Sequence, residues 1–277
     1  MRQNIRQRPP AVAADDKSRR SRLDHERIEK VVNLLEETDN VELKLTVPDS
    51  DRASTISALD MDPLDAQLRQ VVFFDTPDLR LDRAGIVIRA RRIPNGGDVV
   101  VKLRPIEPDD LPGKLRRSHN FTIEVDAMPG TCVCSGSLKS AVDNSDVKKV
   151  LAGKRSIHKL FEPEQRALYE EHAPKGLDLD SLTALGPITV TKLKLSPPEL
   201  RTPIVAELWF YPDGSRVLEL STKCAPDKTF TVLEHTRTFL LQHGISLTGE
   251  QQTKTRKALE YFARLHSDGR KSARKAS

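Results

Sequence analysis

Along 40–47 the chain alternates strictly. Val41, Leu43, Leu45 and Val47 hold one parity, and Asn40, Glu42, Lys44 and Thr46 hold the other. A polarity period of two belongs to a half-buried β-strand, whose successive side chains point to opposite sheet faces. The pattern returns often enough to predict eight strands, near 40–48, 69–75, 86–93, 98–104, 119–126, 187–195, 203–211 and 215–222. Helical spacing takes over at Arg22–Glu37 (Leu23, Ile28, Val31, Leu34, Leu35), Asp146–Leu151, Glu164–His172, Phe230–His243 and Glu250–Leu265, with Gly244 as a C-cap. The Pro- and Asp-rich stretch 105–118 reads as a loop. The segment 130–185 reads as a mixed region whose Gly/Ser-rich start, holding Cys132-Val133-Cys134, is a turn.

The polar parity of these strands is mostly charged. Arg89 and Arg91 oppose Ile86, Ile88 and Ala90; Lys102 and Arg104 oppose Val101 and Leu103; Glu124 and Asp126 oppose Ile123 and Val125. Lys192 and Lys194 oppose Leu193 and Leu195, while Glu207 and Glu219 each stand between aliphatic neighbours. One solvated, salt-bridged strand is ordinary. Six in agreement point to an α+β fold in which an eight-stranded antiparallel β-barrel closes around a charged lumen, with helices on its apolar outer wall. Buried charges must be paired, hydrated or bound to ligand. Cations outnumber anions on these faces, and guanidinium forks match phosphate oxygens. Carboxylates beside a phosphate call for a bridging divalent cation, Mg²⁺ or Mn²⁺. The expected ligand is therefore a polyphosphate held together with a metal.

These residues, in this order, resemble the CYTH superfamily of triphosphate tunnel metalloenzymes. Asn40-Val41-Glu42-Leu43-Lys44 is similar to the family's Glu-x-Glu-x-Lys strand at two of three positions. Phe73-Phe74-Asp75-Thr76-Pro77 resembles its aromatic-Asp-Thr-Pro segment ahead of the Arg-x-Arg strand, here Arg89 and Arg91. The resemblance runs from about Asn40 to Phe262. It implies a tunnel in which Lys44, Arg89, Arg91, Lys102, Arg104, Lys192, Lys194 and Lys254 hold the triphosphate, and Glu42, Glu207 and Glu219 hold the metal. Lys44, Arg89, Arg91 and Glu42 would be the catalytic group. Members hydrolyse inorganic, nucleoside or thiamine triphosphates, or cyclise ATP. Two departures stand out: Asn40 replaces the first Glu, and Val217 or Ser221 replaces one Glu of the late strand. Both remove metal carboxylates, so binding is expected to survive better than turnover.

Composition narrows the alternatives. The net charge of +5 comes from the ends: residues 1–22 carry +5 and 263–277 carry +4, leaving the body at −4. The expected organisation is a basic tail over 1–21, a tunnel domain over 22–265 and a second basic tail over 266–277. Aromatic residues make up 4% of the chain, which argues against a base-stacking nucleic-acid surface and leaves the tails as its only electrostatic contact with nucleic acid. No apolar run reaches membrane-spanning length and no signal-peptide core follows Met1, so the expected compartment is the cytoplasm and no membrane partner is expected. Three cysteines without metal-ligand spacing read as free thiols. Asp75-Thr76-Pro77-Asp78 reads as turn chemistry, and Trp209, sharing the parity of Glu207, as a ring turned toward the lumen. Three functions stay open: a metal-dependent triphosphatase, a polyphosphate- or nucleotide-binding module without turnover, and an adenylate cyclase, which would need an adenine pocket.

Overall fold

The computed structural model describes residues 29, 31–248, 251 and 254–276. The expected N-terminal tail lies outside the described residues. Among the described residues the first element is helix α1 (31–36), followed by β1 (Asn40–Val47), α2 (Arg52–Ala58), β2 (Gln67–Asp75), α3 (Arg80–Arg83), β3 (Ile86–Ile93), β4 (Gly96–Leu103) and α4 (Gly113–Arg116). Then come β5 (Phe121–Met128), β6 (Thr131–Ala141), α5 (Asn144–Leu151), α6 (Pro163–His172), β7 (Thr183–Leu195), β8 (Ile204–Phe210), β9 (Arg216–Cys224), α7 (Thr229–Gln242) and α8 (Lys254–Ala276). The nine strands close in the order β1-β5-β6-β4-β3-β2-β7-β8-β9. Pairing is antiparallel except between β1 and β5, which run parallel.

The count is one above the eight strands predicted, and the extra strand is β6. Its outward positions are filled by Cys134, Gly136 and Leu138, so the aliphatic half of the alternation is nearly missing from the sequence. Gly136 is forced by packing, because a Cβ there would lie 2.5 Å from the Phe121 ring. Cys132 and Cys134 are thus strand residues rather than turn residues, and with Cys224 they are free thiols. The stretch 105–118 holds a 3-10 turn and α4 and returns the chain along the outside, with Ile106, Leu111 and Leu115 against the outer core. Helix α8 continues through Ala276, across most of the expected C-terminal tail.

The outer wall carries the aliphatic parity in two patches. Over β1, β3, β4 and β5, Val41, Ile88, Val99, Val101 and Val125 pack under Leu35 of α1, Val147 and Val150 of α5 and Leu168 of α6. Over β8 and β9, Ala206, Leu218 and Leu220 pack under Phe239 and Leu240 of α7. Pro163 opens α6 behind a Glu162/Gln165 capping box. The buried Gln165 amide also donates to the carbonyls of Val99 and Leu138, which fastens α6 to β4 and β6. Gly244, at φ +70°, ends α7 as a C-cap, with Ile245 N–H donating to Leu240 O at 2.9 Å.

The lumen is sealed at one end. Val71, Phe73, Val87, Ile188, Val190, Trp209 and Val217 share the inner face with the charged residues and pack against Ala258, Leu259 and Phe262 of α8. On α8, positions 254, 258 and 262 lie one turn apart on a single face, so the stripe that plugs the barrel also sends Lys254 deeper into it. At the other end, marked by the β3–β4 turn and the β7–β8 loop, Lys139 and Lys223 are 55% and 51% exposed. No described helix is long and apolar enough to cross a membrane.

Truncating Phe262→Ala should cost about 3 kcal/mol, as large-to-small core changes do. Urea unfolding of the two proteins measures it; an unchanged midpoint would mean that α8 does not hold the barrel shut.

Candidate functional site

Three ion clusters line the lumen. In the first, Lys44 of β1 lies 3.0 Å from Glu42 and 2.7 Å from Asp126 of β5, and Lys102 of β4 reaches the other Asp126 oxygen at 3.3 Å. Glu124 pairs with Lys223 beside them. Glu42, Glu124 and Asp126 each place a carboxylate oxygen within 4.8 Å of the others, the one such acidic trio among the described residues. In the second, Lys254 pairs with Glu207 and lies 2.6 Å from Glu219, while Arg69 stands 3.6 Å from Glu207. In the third, Asp98 receives Arg91 Nε at 2.8 Å, with Arg89 at 4.0 Å and Lys139 at 3.8 Å.

Strand geometry explains the grouping. The Arg91–Asp98, Lys192–Glu207 and Glu207–Glu219 pairs are direct cross-strand neighbours, so their side chains leave the sheet together. Glu42 sits opposite Asp126 and Asn40 opposite Glu124 across the parallel β1–β5 pair. Asp75 lies outside this network. It accepts the amides of Thr76, Leu81 and Asp82, and Thr76 Oγ1 accepts that of Arg80, so these two residues organise the turn into α3. Asp78 pairs instead with Arg83 on the surface.

Cations in the lumen exceed anions, and the anions are shared. Burial would raise the Asp126 carboxyl, yet Lys102 and Lys44 hold it well below the usual range. Burial likewise works against Lys44, but Asp126, Glu42 and Glu219 keep its ammonium more firmly protonated than a free lysine. Glu207, despite burial, is pulled down to about 2 by Lys254, with Arg69 and Arg89 adding to it. Glu124 moves the opposite way, raised by burial and by the nearby Glu42. Lys102 and Lys192 are lowered by burial, and neighbouring cations add to the effect. Arg89 is incompletely satisfied. Its Nε is buried with no hydrogen-bond partner among the described residues, and its one ion pair there is the 4.0 Å contact with Asp98.

The structure brings Lys44, Arg89, Arg91, Lys102, Lys192, Lys254, Glu42, Glu207 and Glu219 to the lumen. Lys194 is exposed at the open end. Arg104 stands just beyond β4, close enough to lower Lys102. The carboxylates of Glu42, Glu207 and Glu219 do not form a trio; Glu42 joins Glu124 and Asp126, while Glu207 and Glu219 face Lys254. Arg69, Asp98, Lys139 and Lys223 belong to the same network and were missed in the sequence as site residues. Arg69 and Lys223 sit at the limits of their strands, and Asp98 follows two glycines. Trp209 faces the lumen as its parity predicts, stacked 6.4 Å from Phe73 with Lys254 5.7 Å from its ring.

No protein-family model and no curated protein matches this chain. Among solved structures it is similar to a presumed adenylate cyclase from Bacillus halodurans, at 13% identity and a TM-score of 0.56 over 79% of this chain and 97% of that one. It is also similar to a presumed adenylyl cyclase from Hippeastrum described as having a dominant triphosphatase activity, at 18% identity and a TM-score of 0.54 over 77% and 92%. The chain shares the closed-barrel fold of these two proteins. At these identities the likeness carries the tunnel's architecture, and the chemistry rests on its own residues.

The tunnel's carboxylates make its stability pH-dependent. Glu207 titrates at about 2 in the fold against 4.5 when free, so its contribution is complete above 4.5 and is lost as pH falls toward 2. Acid unfolding followed by circular dichroism should be less steep between these values in Glu207→Gln. An identical acid profile would mean that the Lys254 pair does not stabilise the fold.

Proposed function

We propose that the tunnel binds the triphosphate group of a small molecule together with Mg²⁺ or Mn²⁺ and hydrolyses its terminal phosphoanhydride bond. Arg89 carries this reading. A buried guanidinium with an unmet N–H, in a lumen already richer in cations than anions, is a donor set for an anionic ligand. The triphosphatase activity described for the Hippeastrum protein of the same fold supports it.

The donor chemistry suits the metal. Glu42, Glu124 and Asp126 offer only carboxylate oxygens, the ligands hard divalent cations take. Glu207 and Glu219 form a second pair held by the Lys254 ammonium, as Lys44 bridges Glu42 and Asp126, but only the first group brings three carboxylates together. When bound, the metal would act as a Lewis acid on phosphate oxygens. The residues do the rest. Arg89, Arg91, Lys44 and Lys102 fix the phosphoryl oxygens and neutralise charge that builds as water attacks the terminal phosphorus and the bridging P–O bond breaks. The apolar seal of Trp209, Phe73 and α8 keeps bulk water from one side.

A second reading, binding without turnover, is favoured by Asn40 and by the placement of Lys254. Asn40 puts a neutral amide beside Glu124 where the family strand has a carboxylate, and the Lys254 ammonium takes the place of a metal at Glu207 and Glu219. Phosphate release from tripolyphosphate, ATP and thiamine triphosphate with Mg²⁺ or Mn²⁺ separates the two. Metal-dependent release establishes the hydrolase, and stabilisation by ligand without release establishes the binding module.

Arg89→Glu should abolish tripolyphosphate binding measured by calorimetry; unchanged affinity would remove the ligand from the tunnel. Asn40→Glu adds a fourth carboxylate to the trio. It should lower the melting temperature without metal, enlarge its rise with Mg²⁺ and increase any hydrolysis. If Mg²⁺ shifts both proteins equally, residue 40 is not at the metal. Because Lys102 and Lys192 deprotonate more readily than free lysines, triphosphate affinity should fall with rising pH before the ordinary lysine value of 10.5 is reached.

A further inference from the structure

We infer that the groove on the outer wall of the barrel, between α1 and α7, binds a free fatty acid, with the alkyl tail in the groove and the carboxylate at Arg237. The groove lies on the opposite face of β1 and β9 from the lumen, so this site is independent of the function proposed above.

The sheet and two helices shape the groove. Its floor is the aliphatic parity of β1, β5 and β9, with Val41, Val125 and Leu220 each at most 2% exposed; α1 adds Val31 and Leu35, and α7 adds Phe230, Leu233 and Leu240. The cavity measures about 460 Å³, within the range of small-molecule sites. On α7, positions 229, 233, 236, 237 and 240 share one helical face, and from Thr229 to Leu240 that stripe runs roughly 16 Å. Val32, Phe230, Leu233 and Leu241, four of the seven large apolar side chains exposed among the described residues, belong to these two helices. Scattered exposed leucines are ordinary, but a cluster beside a groove marks a binding surface.

The charged groups decide what kind of molecule fits. Two cations line the groove, Lys44 and Arg237, and no carboxylate does. Lys44 is already engaged with Glu42 and Asp126. Arg237 is exposed and has no ion pair among the described residues. A long apolar trough with one uncompensated guanidinium on its lip complements a molecule with a long apolar body and a single anionic head. The body is a slender one, because the floor is buried while Phe230 and Leu233 stand 62% and 45% exposed at the lip. An alkyl chain can lie between those levels. Phe230 is the one aromatic ring in the lining, so a flat ligand finds little to stack on.

The test is calorimetry on the full chain with hexanoate, octanoate, decanoate, decanol and decyltrimethylammonium, each below the concentration at which it aggregates. Affinity should rise about fourfold per methylene along the acids. Decanoate should bind roughly fivefold more tightly than decanol, and Arg237→Gln should erase that difference while leaving decanol within about twofold. Leu233→Asp alters an exposed position and should weaken decanoate at least roughly tenfold; circular dichroism checks that both variants are folded. Cys132 supplies a second readout. It lines the groove and is the exposed cysteine of the three, so decanoate should slow its alkylation by a maleimide. No saturable binding, binding that neither substitution changes, or tighter binding of decyltrimethylammonium would each overturn the inference. So would dimerisation in sedimentation that Leu233→Asp abolishes, or capture by anionic phospholipid vesicles, where monomeric acids do not bind; the groove would then belong to a second copy or to a membrane surface.

Discussion

A closed barrel gives an inward-pointing charge two options, an opposite charge on the facing wall or a ligand. Solvation alone is insufficient, because the walls lower the effective dielectric and leave room for few waters. Much of this molecule follows from that constraint. Each wall of the lumen brings its own sign to a shared contact: β1 and β4 supply lysines to the β5 aspartate, and β3 and β6 supply cations to the β4 aspartate. The pairing is incomplete by design of the sequence, since each aspartate serves more than one cation. What is left over is positive charge, and Arg89 Nε is one of the buried groups left without a hydrogen bond among the described residues.

The same constraint gives α8 its role. An apolar floor of Phe73, Trp209 and Val217 needs a cover, and two glutamates above it need a counter-ion. One helical face supplies both, aromatic and aliphatic groups first and an ammonium one turn further in. That ammonium engages Glu207 and Glu219 as Lys44 engages Glu42 and Asp126, and the three carboxylates that lie within reach of one another are those of β1 and β5. The acidic grouping thus lies toward one side of the barrel. Asn40 matters on that side, where a further carboxylate would add to a repulsion that already raises Glu124.

How far the sequence could be read depended on how strongly each strand alternated. β1, β3 and β4 each set charged residues between aliphatic or small ones over part of their length, and their inner residues, Lys44, Arg89, Arg91 and Lys102, were identifiable before any fold was known. β6 hid because two of its three outward positions, Cys134 and Gly136, are not aliphatic, and at Gly136 the Phe121 ring leaves no room for a side chain. Lys139 was lost with it. Asp98 follows Gly96 and Gly97 and looks like the end of a turn, although it is the anchor for three cations. The acidic grouping was beyond sequence reasoning for a different reason. Which carboxylates meet depends on the parallel register of β1 against β5, and a pattern of alternation carries no information about register between distant strands.

Ring closure also constrains the order in which this protein can be assembled. β1 is flanked by β5 and β9, and the β9 partners of residues 41–47 lie more than 170 positions downstream. Until β9 has been made, the first strand has an unpaired edge and its outer leucines lack half of their cover. Such distant pairings make a topology slow to fold and leave its edges exposed to other chains in the meantime. A partly synthesised chain therefore cannot close this barrel. The lumen becomes a lumen only when the last strand has emerged, and becomes one-ended only when the helix beyond it has docked.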